Sequence, residues 1–174
     1  MIKFFKQYYL LSALFVAVSC TSNYNSSNVK EIDSLIVIAD SIMLQITYFN
    51  LDTLKTEFEN IKIQEKKFQA NLDSIVVDTI VKKNLMVLGR AHKSYKSFIK
   101  NYNQFLSECN YSLTQLKDLK NDTKENILKK EEFSAYFEQE KEAIFNLSKK
   151  VNFHSKDIIT SKRLYLQQKH LEAW

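Results

Sequence analysis

The stretch Val81–Cys109, VKKNLMVLGRAHKSYKSFIKNYNQFLSEC, decides the fold of this chain. Its apolar residues recur at spacings of three and four, the period with which one face of an α-helix repeats. The stretch therefore predicts a helix of roughly thirty residues or more, near 50 Å long at 1.5 Å per residue. The residues of this face are Val81, Leu88, Ala91, Tyr95, Phe98, Tyr102, Phe105 and Cys109.

Turn-forming residues are almost missing from the chain, which has one glycine and no proline. β-Hairpins and doubly wound sheets take glycine or proline at their turns, so the composition favours an all-α fold. The single glycine, Gly89, lies inside the predicted helix, where it costs about 1 kcal/mol relative to alanine. It marks either a close helix crossing or a slight bend.

Other helical segments flank this one. Apolar spacing predicts two earlier helices over roughly 30–49 and 52–71, with Asp52 as the N-cap of the second. A short leucine-rich helix and a polar connection follow Cys109, and a last helix runs from about Lys130 to near the C-terminus. The sequence thus predicts an all-α fold over residues 30–174 as a single domain. We expect an elongated antiparallel bundle about three helices wide, with one column split.

The N-terminus has the layout of an export signal. Two lysines within Met1–Lys6 precede an apolar run from Tyr8 to Val18. This run, about 11 residues, is shorter than the ~20 that a helix needs to cross a bilayer, so residues 1–19 are predicted to be a cleaved signal peptide. Ala17-Val18-Ser19-Cys20 resembles the lipobox of bacterial lipoproteins. The resemblance implies that Cys20 carries the acyl chains and becomes the first residue of the mature protein.

The residues after the lipobox indicate a location. Residues 20–29 are rich in Ser, Asn and Thr and are predicted to form a flexible tether. By resemblance to sorted lipoproteins, Thr21 differs from the aspartate that retains such proteins in the inner membrane. Residues 21–28 also contain no acid of the kind that directs surface export in Bacteroidota. The resemblance therefore implies an outer-membrane lipoprotein that faces the periplasm, anchored by its acyl chains.

A second resemblance lies in the C-terminal half. The segments Tyr111–Asp122, YSLTQLKDLKND, and Glu132–Leu147, EFSAYFEQEKEAIFNL, are similar to a pattern shared by small helical lipoproteins of Bacteroidota. The resemblance covers about residues 73–174 and implies a helical fold but no activity. The connection Lys124–Ile127 lacks the glycine that is often seen in such proteins.

The histidines do not predict a metal site or a catalytic centre. His92, His154 and His170 are the only three, and none has a second histidine or a glutamate at the helical spacing of a metal site. A Ser-His-Asp order, a Cys-x-x-Cys pair and a phosphate-binding glycine loop are also absent from the sequence. We therefore expect no enzymatic activity, no cofactor and no bound metal.

The acids at the start of the last helix favour a structural interpretation. These acids complement the helix dipole, and we expect them to face solvent. They are Glu131, Glu132, Glu138, Glu140 and Glu142. Cys109 ends the apolar face of the third helix and is expected to be a small buried residue rather than part of an intermolecular disulfide.

A run without acids gives the third helix a basic surface. Between Thr79 and Ser107 the sequence has six Lys and Arg residues and no carboxylate. One interpretation is pairing with Glu131, Glu138 and Glu142 on a neighbouring antiparallel helix. The other is contact with anionic lipid headgroups or another envelope polymer, since about 1 kcal/mol per basic residue is available near an anionic surface. The residues proposed for that contact are Lys82, Arg90, Lys93 and Lys100.

Five triplets read Asp, hydroxyl residue, aliphatic. They resemble the O-glycosylation sequon of exported Bacteroidota proteins, which implies a glycan on the hydroxyl residue. The alternative is that Asp-Ser and Asp-Thr pairs simply begin helices. Thr53 and Ser74 lie at predicted breaks, where exposure favours modification. The complete set of hydroxyl residues is Ser34, Ser41, Thr53, Ser74 and Thr79.

These patterns predict an envelope lipoprotein that binds or scaffolds another envelope component, most simply a protein. The alternative is a carrier that holds a lipid or other apolar ligand between its helices. Removal of residues 1–19 lowers the formal net charge from +5 to +3, which together with export argues against nucleic acid as a partner. The sequence does not define an oligomeric state. Residues available to line a carrier cavity are Phe58, Phe98, Tyr102, Phe105, Phe133 and Phe137.

Overall fold

The computed structural model describes residues 19–71 and 79–171, with side chains described over 25–70 and 81–167. The helices pack against each other, and this part of the chain contains no strand, which confirms the predicted all-α helical bundle. The four helices are α1 (Ser19–Thr47), α2 (Leu51–Asn71), α3 (Thr79–Lys124) and α4 (Lys130–Leu171).

The helix α3 is longer than the sequence predicts. It is one continuous helix of 46 residues, about 69 Å long. The separate short helix predicted after Cys109 is therefore wrong. Leu113, Leu116 and Leu119 continue the buried face of α3 at the same spacing, and no glycine or proline interrupts the helix there.

The helix α1 also begins earlier than expected. It starts at Ser19, so residues 20–29, predicted to be a flexible tether, are helical. Helix propensity is a weak guide that packing overrides. Asn28 is buried, and the side-chain amide of Asn25 donates a hydrogen bond to Asn126 Oδ1. The burial of Asn28 and the hydrogen bond of Asn25 show that this part of α1 packs within unit 1.

Side-chain caps define the starts of α2 and α4. Asn50 caps α2, because its Oδ1 accepts a hydrogen bond from the backbone N–H of Thr53 at 2.9 Å. Asp52, the predicted cap, lies instead in the first turn, where its carboxylate complements the helix dipole. At the start of α4, Glu132 Oε2 accepts from the backbone N–H of Lys129 at 2.9 Å, which is the returning half of a capping box.

A Schellman motif closes the C-terminus of α3. The N–H of Ile127 donates to the carbonyl of Asp122 at 3.0 Å, and that of Asn126 donates to Thr123 at 3.4 Å. Asn126 has a φ of 58°. Asparagine tolerates this left-handed conformation better than most residues, so the connection forms the usual turn without a glycine.

The contacts divide the chain into two compact units. Of the described residues, 19–40 and 111–144 belong to unit 1. Within it, α1 runs antiparallel to α3, and Lys120 Nζ of α3 lies 2.5 Å from Asp33 Oδ1 of α1. The apolar core of unit 1 consists of Ile32, Leu35, Ala39, Leu113, Leu116, Leu119, Phe133, Phe137 and Ile144.

Of the described residues, 41–71, 79–110 and 145–171 belong to unit 2. Within it, α3 runs antiparallel to both α2 and α4. The Phe98 ring lies at the centre of the core, 4.8 Å from Phe49, 6.0 Å from Tyr102 and 6.2 Å from Phe105, measured between ring centroids. Every residue of the predicted α3 face from Leu88 to Cys109 is buried.

No single helix of the described chain combines the length and apolarity of a membrane span. Only the segments Asn25–Thr47 and Leu51–Ala70, taken together across a bend of 43°, reach that length and composition.

Candidate functional site: a groove between the α1–α2 junction and α4

A groove of about 580 Å³ lies in unit 2, between the α1–α2 junction and α4. Three large apolar side chains on its walls are exposed: Tyr48 by 80%, Ile159 by 54% and Leu166 by 45%. The volume is within the ~300–1,000 Å³ typical of ligand sites. Clustered exposed apolar side chains of this kind are typical of a binding surface rather than of ordinary protein surface.

A single carboxylate connects the helices around the groove. Glu57 of α2 accepts a hydrogen bond from the Tyr95 hydroxyl of α3 at 2.7 Å through Oε2. Through Oε1 it accepts from Lys162 Nζ of α4 at 2.5 Å. Burial first, and then the hydrogen bond and charge of Glu57, raise the pKa of Tyr95 far above its ordinary value. The Tyr95 hydroxyl therefore stays protonated and remains a donor.

The apolar surface continues beyond the groove. A second hollow of about 440 Å³ shares Glu57, Lys162 and Leu166 with it and includes Ile63, which is 51% exposed. Arg163 is an exposed residue of the groove wall. No carboxylate among the described residues forms an ion pair with its guanidinium. The groove thus combines apolar walls with one uncompensated positive charge.

The predicted basic face of α3 lies on the surface of unit 2. Arg90 Nη2 lies 3.7 Å from Asp157 Oδ1, whereas Glu138, one of the acids predicted to pair with this face, binds Lys141 Nζ at 2.8 Å. Contact with an anionic surface stays a prediction. The face residues that are exposed and have no ion pair with a described carboxylate are Lys82, Lys93 and Lys100.

The histidines occupy separate positions. His92 Nδ1 lies 2.6 Å from Glu65 Oε2, and His154 Nδ1 lies 3.4 Å from the Ser97 hydroxyl. Burial lowers the pKa of His154, although the charge of Asp157 opposes the shift. The described residues contain no group of three His, Cys, Asp or Glu side chains placed to hold a metal ion. The side chain of His170 lies outside those described.

The predicted modification sites are only partly described. Ser34, Ser41 and Thr53 are exposed, and Ser34 Oγ donates to the Lys30 carbonyl at 2.9 Å. Ser74 lies outside the described residues. Thr79 begins α3 and Cys20 lies within α1, but neither side chain is among those described. Glycosylation and lipidation therefore stay predictions.

The aromatic side chains named for a carrier cavity lie in the core: Phe98 and Phe105 pack within unit 2, and Phe133 stacks on Phe137 at 5.6 Å in unit 1. The carrier stays a prediction. One expectation about a side chain is wrong. Glu140, expected to face solvent, is only 8% exposed. Cys109 is fully buried, as expected.

The groove was not predicted from the sequence. The sequence feature that could have indicated it is the apolar pair Ile159 and Leu166, which lies outside the buried face of α4 defined by Val151 and Ile158. In comparison with known proteins, no family model matches the chain, and no curated protein or solved structure matches it either. The groove and the basic face are therefore the features from which a function can be argued.

Proposed function

We propose that this protein is a membrane-anchored bacterial envelope lipoprotein whose helical domain binds another envelope protein, without enzymatic activity. The observation that carries the proposal is the groove of unit 2, where exposed Tyr48, Ile159 and Leu166 lie beside Arg163. An apolar surface next to an uncompensated cation fits an amphipathic segment of a partner. That segment would present apolar side chains to the groove and a carboxylate to Arg163.

The proposed anchor is the acylated Cys20. Two or more acyl chains give stable membrane attachment, whereas one chain alone is marginal. The sequence after Cys20 supports an outer-membrane location facing the periplasm. We expect Cys20→Ala to move the protein from the membrane fraction to the soluble fraction, while the unaltered protein stays with membranes in high salt. Sedimentation of the Cys20→Ala variant with membranes in high salt would contradict the lipoprotein assignment.

The groove is tested by site-specific photo-cross-linking in intact cell envelopes. A photoreactive residue in place of Leu166 should form a discrete protein adduct. The same residue in place of Val37, which is 67% exposed in unit 1, should not. Reversal of the groove cation by Arg163→Glu should weaken the adduct, because the partner's carboxylate would then be repelled. Lys149→Glu makes the same charge change at another exposed position of α4 and serves as the control.

Equal adducts from positions 166 and 37, or an adduct insensitive to Arg163→Glu, would contradict the proposed interface. Mass spectrometry of the adduct identifies the partner. Its cross-linked peptide should be amphipathic and contain an acid.

The second candidate function is a carrier for an apolar molecule with an anionic group. The volume of the groove, about 580 Å³, favours it, since this size suits a small amphiphile. Arg163 would then bind the anionic group. Native mass spectrometry after mild purification separates the two functions, because a carrier retains a small molecule and a binding module retains a protein.

The basic face of α3 is proposed as a second membrane contact. Exposed charges of this kind act within a Debye length of about 8 Å at physiological salt. In the Cys20→Ala background, the double variant Arg90→Glu/Lys93→Glu should lose binding to anionic vesicles. Its melting temperature should hardly change, because the exposed Arg90–Asp157 pair contributes only about 0–1 kcal/mol. Unchanged vesicle binding would refute this contact.

A further inference from the structure

A separate cavity in unit 1 has strongly acidic walls. It has a volume of about 330 Å³ and lies between the last part of α3 and α4. Asp118 and Asp122 of α3 and Glu140 of α4 line it. The described residues that line it include no lysine, arginine or histidine. The cavity therefore concentrates negative charge without a matching cation.

Glu140 is the unusual member of this wall. The residue is 8% exposed, and its Oε2 is buried with no hydrogen-bonding partner among the described residues. The hydroxyl of Ser112 hydrogen-bonds the same carboxyl group. An unpartnered polar atom in a protein interior is unfavourable and calls for a physical explanation. Glu140 lines the cavity, and a rotation of its carboxyl group would bring this oxygen to a donor that enters there.

The two aspartates lie one helical turn apart, a spacing at which like charges repel. No described cation forms an ion pair with either of them. Lys120, between them in sequence, binds Asp33 of α1 instead. Repulsion between Asp118 and Asp122 is therefore not relieved within the described part of unit 1. A bound cation would relieve it.

The chemistry of the walls selects the kind of cation. The three carboxylates are not placed to converge on a metal ion. Tyr111 and Tyr136, which are 64% and 53% exposed, contribute aromatic rings to the same cavity. Aromatic rings attract organic cations, and an ammonium group has three N–H donors for separated acceptors. An alkylammonium group meets both conditions.

We propose that the acidic cavity of unit 1 binds an alkylammonium group, with Glu140 Oε2 accepting one of its hydrogen bonds and Asp118 and Asp122 balancing its charge. The group belongs either to a free polyamine or to a lysine side chain of a polypeptide. This site is independent of the function proposed for the groove of unit 2.

The test uses the full-length chain in mild detergent and isothermal titration calorimetry with spermidine at constant ionic strength. We expect saturable binding to one site. Glu140→Gln keeps the size of the side chain and an acceptor oxygen but removes the negative charge. It should weaken binding about tenfold or more, because a hydrogen bond between two charged groups is stronger than one to a neutral amide. Glu138→Gln, two residues earlier on the exposed side of α4, is the matched control and should change the affinity less than about twofold.

Asp118→Asn provides a second variant, since Asp118 is exposed and its replacement leaves the core intact. It should also weaken binding. Equal affinities for the Glu140→Gln and Glu138→Gln variants, or the absence of saturable binding to both spermidine and a lysine peptide, would overturn the proposal.

The source of the ammonium group is distinguished with peptides. An alanine-flanked lysine peptide and its Nε-acetylated form are titrated under the same conditions. Binding of the peptide that acetylation abolishes identifies a lysine side chain as the ligand, and binding of spermidine alone identifies a polyamine. Binding of both peptide forms with equal affinity would contradict recognition of the ammonium group.

Discussion

Replacement of Tyr95 by phenylalanine should destabilise unit 2 through the loss of one hydrogen bond. The Tyr95 hydroxyl donates to Glu57 Oε2 at 2.7 Å, and the residue is 1% exposed. A hydrogen bond to a charged group contributes about 1.5–3 kcal/mol. The Glu57 side chain is 28% exposed and keeps Lys162 Nζ at 2.5 Å, so water and lysine compensate part of the loss. We therefore expect Tyr95→Phe to lower the free energy of unfolding by about 1.5 kcal/mol.

The assay is urea denaturation of a double-mutant cycle that combines Tyr95→Phe with Glu57→Gln. The two changes should be non-additive, with a coupling energy of about 1 kcal/mol, because Tyr95→Phe removes the hydrogen bond and Glu57→Gln removes the charge of its acceptor. Tyr102→Phe is the control, since Tyr102 is also a tyrosine of the α3 core face and should change stability by less than about 0.5 kcal/mol. Full additivity, or an unchanged urea midpoint for Tyr95→Phe, would refute the assigned role of Glu57.

Three further predictions concern single residues. Gly89→Ala should raise the free energy of unfolding by about 0.4–1 kcal/mol in urea denaturation, because nothing lies within 4 Å of the position of an added Cβ; a loss of stability would indicate a close contact there. Asn126→Ala should have a lower thermal midpoint than Asn126→Gly, because both variants lose the hydrogen bond from Asn25 but only alanine carries a cost of about 1–2 kcal/mol for the left-handed conformation; equal midpoints for the two variants would contradict the strain. Burial raises the pKa of Glu140 above its ordinary value of 4.5. In the pH range between 4.5 and the raised pKa, the native state therefore holds a proton that the unfolded chain has lost, and the free energy of unfolding should fall as the pH rises through this range. In urea denaturation across this pH range, the Glu140→Gln variant should not show the decrease. Parallel pH profiles for the variant and the unaltered protein would contradict the raised pKa.

The periodicity of apolar residues predicted the core well, because the buried face of a helix is set by the spacing of residues on its neighbouring turns. The helix predicted over roughly 30–49 and the helix predicted from about Lys130 both supply buried residues to both units. The end of α3 was less predictable. The prediction ended the third helix at Cys109 and began a short helix after it, but the leucine spacing continued and no helix-breaking residue was present.

The candidate sites depend on contacts between distant parts of the sequence, which periodicity does not encode. Glu57 and Lys162 are 105 positions apart, yet they form one ion pair beside the groove. Glu140 lies among other acids in the sequence and was therefore expected to face solvent. Only the packing of α3 against α4 in unit 1 buries it. The choice of Asn50 over Asp52 as the cap of α2 likewise follows from backbone geometry, since both residue types suit the position.

The complete burial of Cys109 has an experimental consequence. The sequence contains two cysteines, so the Cys20→Ala variant carries Cys109 as its single thiol. A thiol reagent reaches that sulfur only when the core of unit 2 opens, and the alkylation rate under native conditions therefore measures the free energy of that opening. A molecule that binds the groove should slow the alkylation in proportion to its occupancy. The alkylation rate of Cys109 thus reports the binding of groove ligands without an added label.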